Sequence, residues 1–208
     1  MTNNRKINII KHLQTLKSFG IEYIDDIDIS LNNQIEQNLP DDMEMLLKTI
    51  DQCTICELCK RRKNRQNYTQ QFDTKVMFVA DFMTSNYDDP FMGQAGLMLK
   101  NICQNVLKIK TDDIYFTTIL KCPVKNSSDI QQQYIDSCKG FLEKQIEIIK
   151  PKVIVVFENK TSSMLEIKAK NVKIIKTYSP TMVLKNQNLK QRVFDDMKKV
   201  KHHMEATT

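Results

Sequence analysis

The sequence predicts an α/β fold: a three-layer α/β/α sandwich around a central four-stranded parallel sheet, preceded by a helical extension. Two observations carry this prediction. Val76 to Ala80, Ile114 to Leu120, Val153 to Phe157 and Val172 to Ile175 are short runs of apolar or β-branched residues, continuous rather than alternating, as in strands buried on both faces. Between them lie longer stretches with helical spacing, and strands alternating with helices return in parallel.

The elements follow in order. From Arg5 to about Phe19 the residues Ile7, Ile10, Leu13 and Leu16 recur on one face, which predicts an amphipathic helix ending near Gly20. A second short helix is expected beyond Pro40, capped by Asp41 or Asp42 and running through Met45, Leu46 and Ile50. Residues 1–50 are assigned to the extension and 51–205 to the main domain. Lys60 to Gln71 is polar and basic and reads as a loop. Further helices are expected near Gln94 to Leu107, Ser128 to Lys150, Thr161 to Ile167 and Leu189 to Met204, with Pro151 ending the long middle one.

With 208 residues and 41% hydrophobic content, the chain can bury a sizeable core. No apolar run approaches the roughly 20 residues needed to cross a bilayer, and the patch around Ile7, Ile9 and Ile10 is too short for a secretory leader. A cytoplasmic protein with reduced thiols and no membrane partner is therefore expected. The net charge of +6 suits an anionic partner such as nucleic acid, or a solvated lysine-rich surface.

Six cysteines narrow the chemistry further. Cys53 and Cys56 form a C-x-x-C pair able to chelate from one turn, and Cys122 and Cys138 can complete a four-sulfur site once the fold closes. An iron-sulfur cluster is the expected occupant, with zinc as the other metal that suits four thiolates. Cys59 extends the first pair to C-x-x-C-x-x-C, and either Cys59 or Cys103 could replace one of the four; the other reading of both is a small buried hydrophobe. In a parallel sheet, ligands bind beyond the carboxyl ends of the strands, so the candidate rim is Ala80 to Gly96, Thr117 to Asn126 and Tyr178 to Lys185.

These segments resemble a known family. Pro90-Phe91-Met92-Gly93-Gln94-Ala95-Gly96 is similar to the P-F-x-G-x-A-G motif of the family 4, iron-sulfur uracil-DNA glycosylases, and Tyr115 to Cys122 is similar to that family's strand ending in V-K-C. The interval from Cys122 to Cys138, then Phe141-Leu142 and Pro151 to Val155, follow in the same order, and the resemblance runs from about Cys53 to Lys201. It implies a 4Fe-4S cluster held by Cys53, Cys56, Cys122 and Cys138. It also implies action in base excision repair on DNA, uracil-containing or single-stranded, by flipping a base and hydrolysing its N-glycosidic bond.

Flipping and excision call for an aromatic platform, a group that reads the base, donors for the leaving anion and a carboxylate or positioned water. By the resemblance Phe91 stacks on the base, Thr118 and Phe82 contact it, and Asp81 and Ser179 stand at the catalytic positions. Arg61, Arg62, Arg65, Met182 and Lys185 would contact DNA, with Met182 as an apolar wedge. The chain departs from the family's pattern where it matters most. Thr118 stands where the family has its uracil-reading asparagine, and Ser179-Pro180 where it has His-Pro. A hydroxyl replaces a carboxamide that donates and accepts together, and the imidazole that would stabilise the departing anion is gone. Excision is thus expected to be weakened. The alternative is a catalytically inactive module that binds DNA, or docks a protein partner through the N-terminal helix, with a structural cluster.

Overall fold

The computed structural model describes residues 39–61, 71–83, 89–157, 162, 167 and 172–205. The helix expected at residues 5–19 lies outside them, as does nearly all of the one expected at 161–167. By compactness the chain divides into Met1–Ile35 and Glu36–Thr208, and every described residue belongs to the second unit.

That unit opens with α1 (Met43–Gln52), capped by Asp42, whose carboxylate accepts the Met45 N–H at 2.8 Å. Such a cap is worth about 1 kcal/mol. Although the sequence reading places this helix in the extension, it buries Met43, Leu46 and Ile50 in the main core.

Four strands follow: β1 (Val76–Ala80), β2 (Ile114–Thr118), β3 (Val153–Phe157) and β4 (Lys173–Thr177). All pairings are parallel, in the order β2-β1-β3-β4, with Val79 opposite both Thr117 and Val156. The three strands other than β4 are almost wholly buried, which is why they read as unbroken apolar runs. At the edge, β4 exposes Lys173 and Lys176, charges that discourage another strand from adding there. Because the chain leaves β1 for β2 on one side and β3 for β4 on the other, the order reverses between β1 and β3. A sheet of this kind opens its ligand crevice at that point.

Strand β2 is two residues shorter than expected. Ile119 and Leu120 continue the apolar run, but their N–H groups turn to the carbonyls of Ala80 (2.8 Å) and Asp81 (2.9 Å), and the Thr118 hydroxyl donates to the Leu120 carbonyl at 2.7 Å.

Helix α2 (Gly93–Ile102) passes into one wider π-type turn at Cys103–Leu107, closed by Lys108 in the left-handed region. The long α3 (Gln132–Ile149) starts later than expected because Ser127–Asp129 forms a separate 3-10 turn; it ends at left-handed Lys150 just before Pro151. After β4 come α4 (Pro180–Lys185) and α5 (Lys190–Glu205).

The sheet separates two cores. On one face Met77, Val79, Tyr115, Ile154 and Val156 pack with α1, α3 and every cysteine except Cys103. On the other, Val76, Phe78, Phe116, Val155 and Ile175 pack with α2, α4 and α5. The expected three-layer sandwich is thus observed. Among the described residues no helix is long and apolar enough to cross a membrane.

Candidate functional site

The rim at the carboxyl end of the sheet is built from three laced segments. Asp81, the residue after β1, is only 3% exposed, and its backbone carbonyl is bonded to Leu120. The Val124 N–H reaches the Met83 carbonyl at 3.2 Å, so the segments leaving β1 and β2 run together. Asp81 therefore stands beside the switch point, where a sheet of this order places its chemistry.

Phe91 is set by the turn ahead of α2. Its N–H and that of Met92 bond the carboxylate and carbonyl of Asp89, at 2.8 and 3.1 Å, so Asp89 is a turn residue. Gly96 is needed for close approach: a Cβ there would sit 2.1 Å from the Phe91 carbonyl carbon. Gly93 supplies a φ of +68°, in the region glycine favours. The Phe91 ring is half-buried and meets Phe116 edge-on at 6.4 Å. Phe82, expected to share the base with Phe91, packs against the core on the other face of the sheet.

The two hydroxyls expected at the base-reading and catalytic positions, Thr118 and Ser179, both have structural partners. Thr118 is fully buried, with its proton given to the Leu120 carbonyl. Ser179 caps α4 by accepting the Met182 N–H at 3.3 Å. The segment beyond it is this short helix, and it buries Val183 while leaving Leu184 36% exposed and Lys185 exposed. The apolar residue it displays most is Leu184, whereas Met182 is half-buried. Of the basic cluster, Arg61 is exposed and faces Asp129 at 3.7 Å; Arg62 and Arg65 lie outside the described residues. Across from α4, Arg192 lies over the Tyr178 ring, 4.7 Å from its centroid, and donates to its hydroxyl at 3.0 Å.

None of the six cysteines is in a disulfide. Cys53, Cys56 and Cys59 border the core that buries Cys122 and Cys138, and Cys138 feels the charge of both Cys56 and Cys122. Burial pushes the Cys138 thiol up to about 11 and raises Cys56, so each thiolate needs a cation at neutral pH. Among the described residues no group of three or more His, Cys, Asp or Glu side chains converges as the ligands of a metal ion would. The donors that share this core are soft sulfurs in apolar surroundings, a set suited to iron-sulfur chemistry or zinc. Cys103 is fully buried in the opposite core, its thiol pushed up to about 12 by burial, and so is a small core residue away from the others.

Beside Cys122 lies a feature that spacing did not reveal. Lys121 is buried, and its ammonium donates to the hydroxyl of Thr117 (2.8 Å), the side-chain carbonyl of Gln145 (2.6 Å) and the backbone carbonyl of Thr118. Burial pulls Lys121 down to about 7, and the Cys138 sulfur works against that fall. The partners are distant in sequence and carry no motif, so only the fold brings them together.

Comparison with known proteins agrees with this architecture. The profile of the uracil DNA glycosylase superfamily matches residues 66–199. A type-4 uracil-DNA glycosylase of Sulfurisphaera tokodaii is 26% identical over 185 residues, covering 77% of this chain and 84% of the relative. Another, from Thermotoga maritima, is 28% identical over 179 residues, 76% of this chain and 93% of the relative. One from Saccharolobus solfataricus is 25% identical over 191 residues, 80% and 88%. A match across most of the chain, on a parallel sheet with its rim segments in family order, shows that the protein belongs to the uracil-DNA glycosylase superfamily.

Proposed function

We propose that this is a type-4-like DNA repair protein that binds uracil-containing or single-stranded DNA and excises bases far more slowly than a full uracil-DNA glycosylase. One observation carries the reading: the hydroxyl at the base-reading position, Thr118, is fully buried and donates to the chain's own Leu120 carbonyl. A flipped uracil would find no donor-acceptor pair there. Ser179 caps α4 by accepting an N–H, which leaves it a single hydroxyl proton where the family's pattern has an imidazole. Removing one donor that stabilises a leaving anion costs on the order of a hundred- to a thousand-fold in rate.

In the residual mechanism, the base inserts at the β1/β3 end of the sheet and stacks on Phe91. Phe82, on the other side of the sheet, supports the rim from below. Asp81 orients the water that captures the sugar cation, and the Ser179 hydroxyl proton is directed to the base. Leu184 and Met182 of α4 press into the strand, while Lys185, Arg61, Arg62 and Arg65 neutralise phosphates.

The proposal assigns a 4Fe-4S cluster to Cys53, Cys56, Cys122 and Cys138. It is supported by the five cysteine sulfurs that share one core, soft donors of the kind such a cluster takes. When bound it would act as a cross-link between the end of α1, the segment after β2 and α3. The first unit, Met1–Ile35, is proposed as a partner-docking extension.

Single-turnover excision from a single-stranded oligonucleotide bearing one uracil tests the reading. The native protein should release uracil slowly or not at all, and a Thr118→Asn, Ser179→His variant should be faster by a hundred-fold or more. Rapid release by the native protein with no gain in the variant would overturn it. Gain in the variant with no native release would leave DNA binding as the native role.

A further inference from the structure

We propose that Lys121 is the charge-compensating residue of the iron-sulfur site: a buried amine, fixed by Thr117, Gln145 and the Thr118 carbonyl, that as an ammonium offsets the negative charge of the cysteine-bound cluster and sets its potential. This rests on the assignment of the cluster to the four cysteines.

The hydrogen-bond geometry fits the charged form. Gln145 uses its amide N–H to donate to the Tyr115 hydroxyl at 2.8 Å, which in turn lies 3.7 Å from the Met43 sulfur as donor. Its carbonyl is thereby turned to Lys121 and also accepts from the Thr117 hydroxyl at 2.8 Å. With its proton spent on Gln145, Thr117 has only an acceptor to offer Lys121. Three acceptors surround the nitrogen, and three N–H donors are what an ammonium has; a neutral amine has two.

Every one of those partners is neutral, and among the described residues Lys121 makes no ion pair with a carboxylate. A buried ammonium without a counter-charge is costly even when fully hydrogen-bonded. The groups within its reach that turn anionic on binding a cluster are the cysteines: Cys122 is its chain neighbour, and the Cys138 sulfur accepts its backbone N–H and interacts with its charge. Thiolates binding a cluster bring net negative charge into this same core. The cation is thus the complement that the fold provides in advance.

The test compares anaerobically loaded native protein with Lys121→Met, Lys121→Arg and Gln145→Glu. Iron and acid-labile sulfide are measured first; their absence from the native protein would sink the cluster assignment itself. With the cluster present, the midpoint of whichever one-electron couple it shows is read by spectroscopic titration, using dithionite or a mediator oxidant. One electron is exchanged, with no bond to the protein made or broken. Lys121→Met should reduce the ratio of reduced to oxidised cluster at a fixed potential at least ten-fold, a shift of about 59 mV to the negative, and Lys121→Arg should restore most of it. A merely structural role would leave the potential of clusters that do load unmoved. Should Lys121→Met fail to load, Gln145→Glu decides, because a carboxylate on the ammonium cancels its charge while filling the same space. A shift to the negative there supports the proposal, and a native midpoint in the loaded variants overturns it.

Discussion

The two faces of one sheet are built on different principles. The face toward α2, α4 and α5 is packed mainly by apolar side chains: Phe78 stacks on Phe157 at 5.6 Å and 16°, and its cysteine, Cys103, is one more small hydrophobe. The face toward α1 and α3 buries cysteines beside a lysine, a glutamine, a threonine and a tyrosine that satisfy one another. An apolar face needs only volume to hold together, whereas a polar buried network is stabilising when every member is satisfied and costly when one is missing. The comparison teaches that the satisfied polar network and five of the six cysteines have been assigned to one side, and that an alteration should be felt differently on each.

The sharpest way to break the contrast is the same substitution made on both faces. Cys138→Ala should abolish iron binding and cost on the order of several kcal/mol, since a metal site's binding energy is also folding energy. Cys103→Ala should leave iron content and visible spectrum unchanged and cost about 1 kcal/mol, as for a small core truncation. Iron assay and thermal melts on the two variants check both halves; equal iron loss would erase the distinction between the faces.

Next in size is Phe78→Ala, which opens a cavity in the apolar core. Its expected cost is about 3–5 kcal/mol, or roughly 10 °C or more in melting temperature at about 2–4 °C per kcal/mol for a domain of this size. The iron-to-protein ratio of the folded fraction should not change. A loss of iron at temperatures where the variant is folded would show that the faces are coupled.

How much of this was legible beforehand depends on the range of each interaction. Buried parallel strands announce themselves because both faces are apolar, and the Asp42 cap is a three-residue affair, so β1, β3 and the start of α1 could be placed from sequence. The end of β2 could not: Ile119 and Leu120 are as apolar as a strand, and what turns them is the Thr118 hydroxyl and two carbonyls across the sheet. Phe82 and Phe91 were both expected at the base, yet Phe82 packs with the core on one face of the sheet and Phe91 with the core on the other, a division that no spacing in the sequence announces. The Lys121 network joins residues 24 to 30 apart with no periodic spacing, so it was visible only after folding.

The smallest effect concerns the other lysine of this region. Lys144, next to Gln145 on α3, points away from the network and pairs with exposed Asp41 and with Glu147. The hydrogen bond and charge of Lys144 hold the Asp41 carboxyl below its usual value. A carboxyl lowered in this way stabilises the fold above its unfolded value near 4, and the contribution disappears as pH falls through the still lower folded value. Asp41→Asn should therefore be slightly less stable than native at neutral pH in low salt, and indistinguishable from it once the pH is well below 4. Added salt should remove the difference as well, because a surface pair is screened within roughly 10 Å at 0.1 M. Lys121, sealed from solvent on the inner side of the same helix, should give no such response to salt. Denaturant midpoints of Asp41→Asn and Lys121→Met at low and high ionic strength, each against native protein, would place the two cations in different regimes; parallel salt dependence would mean that solvent reaches the inner one.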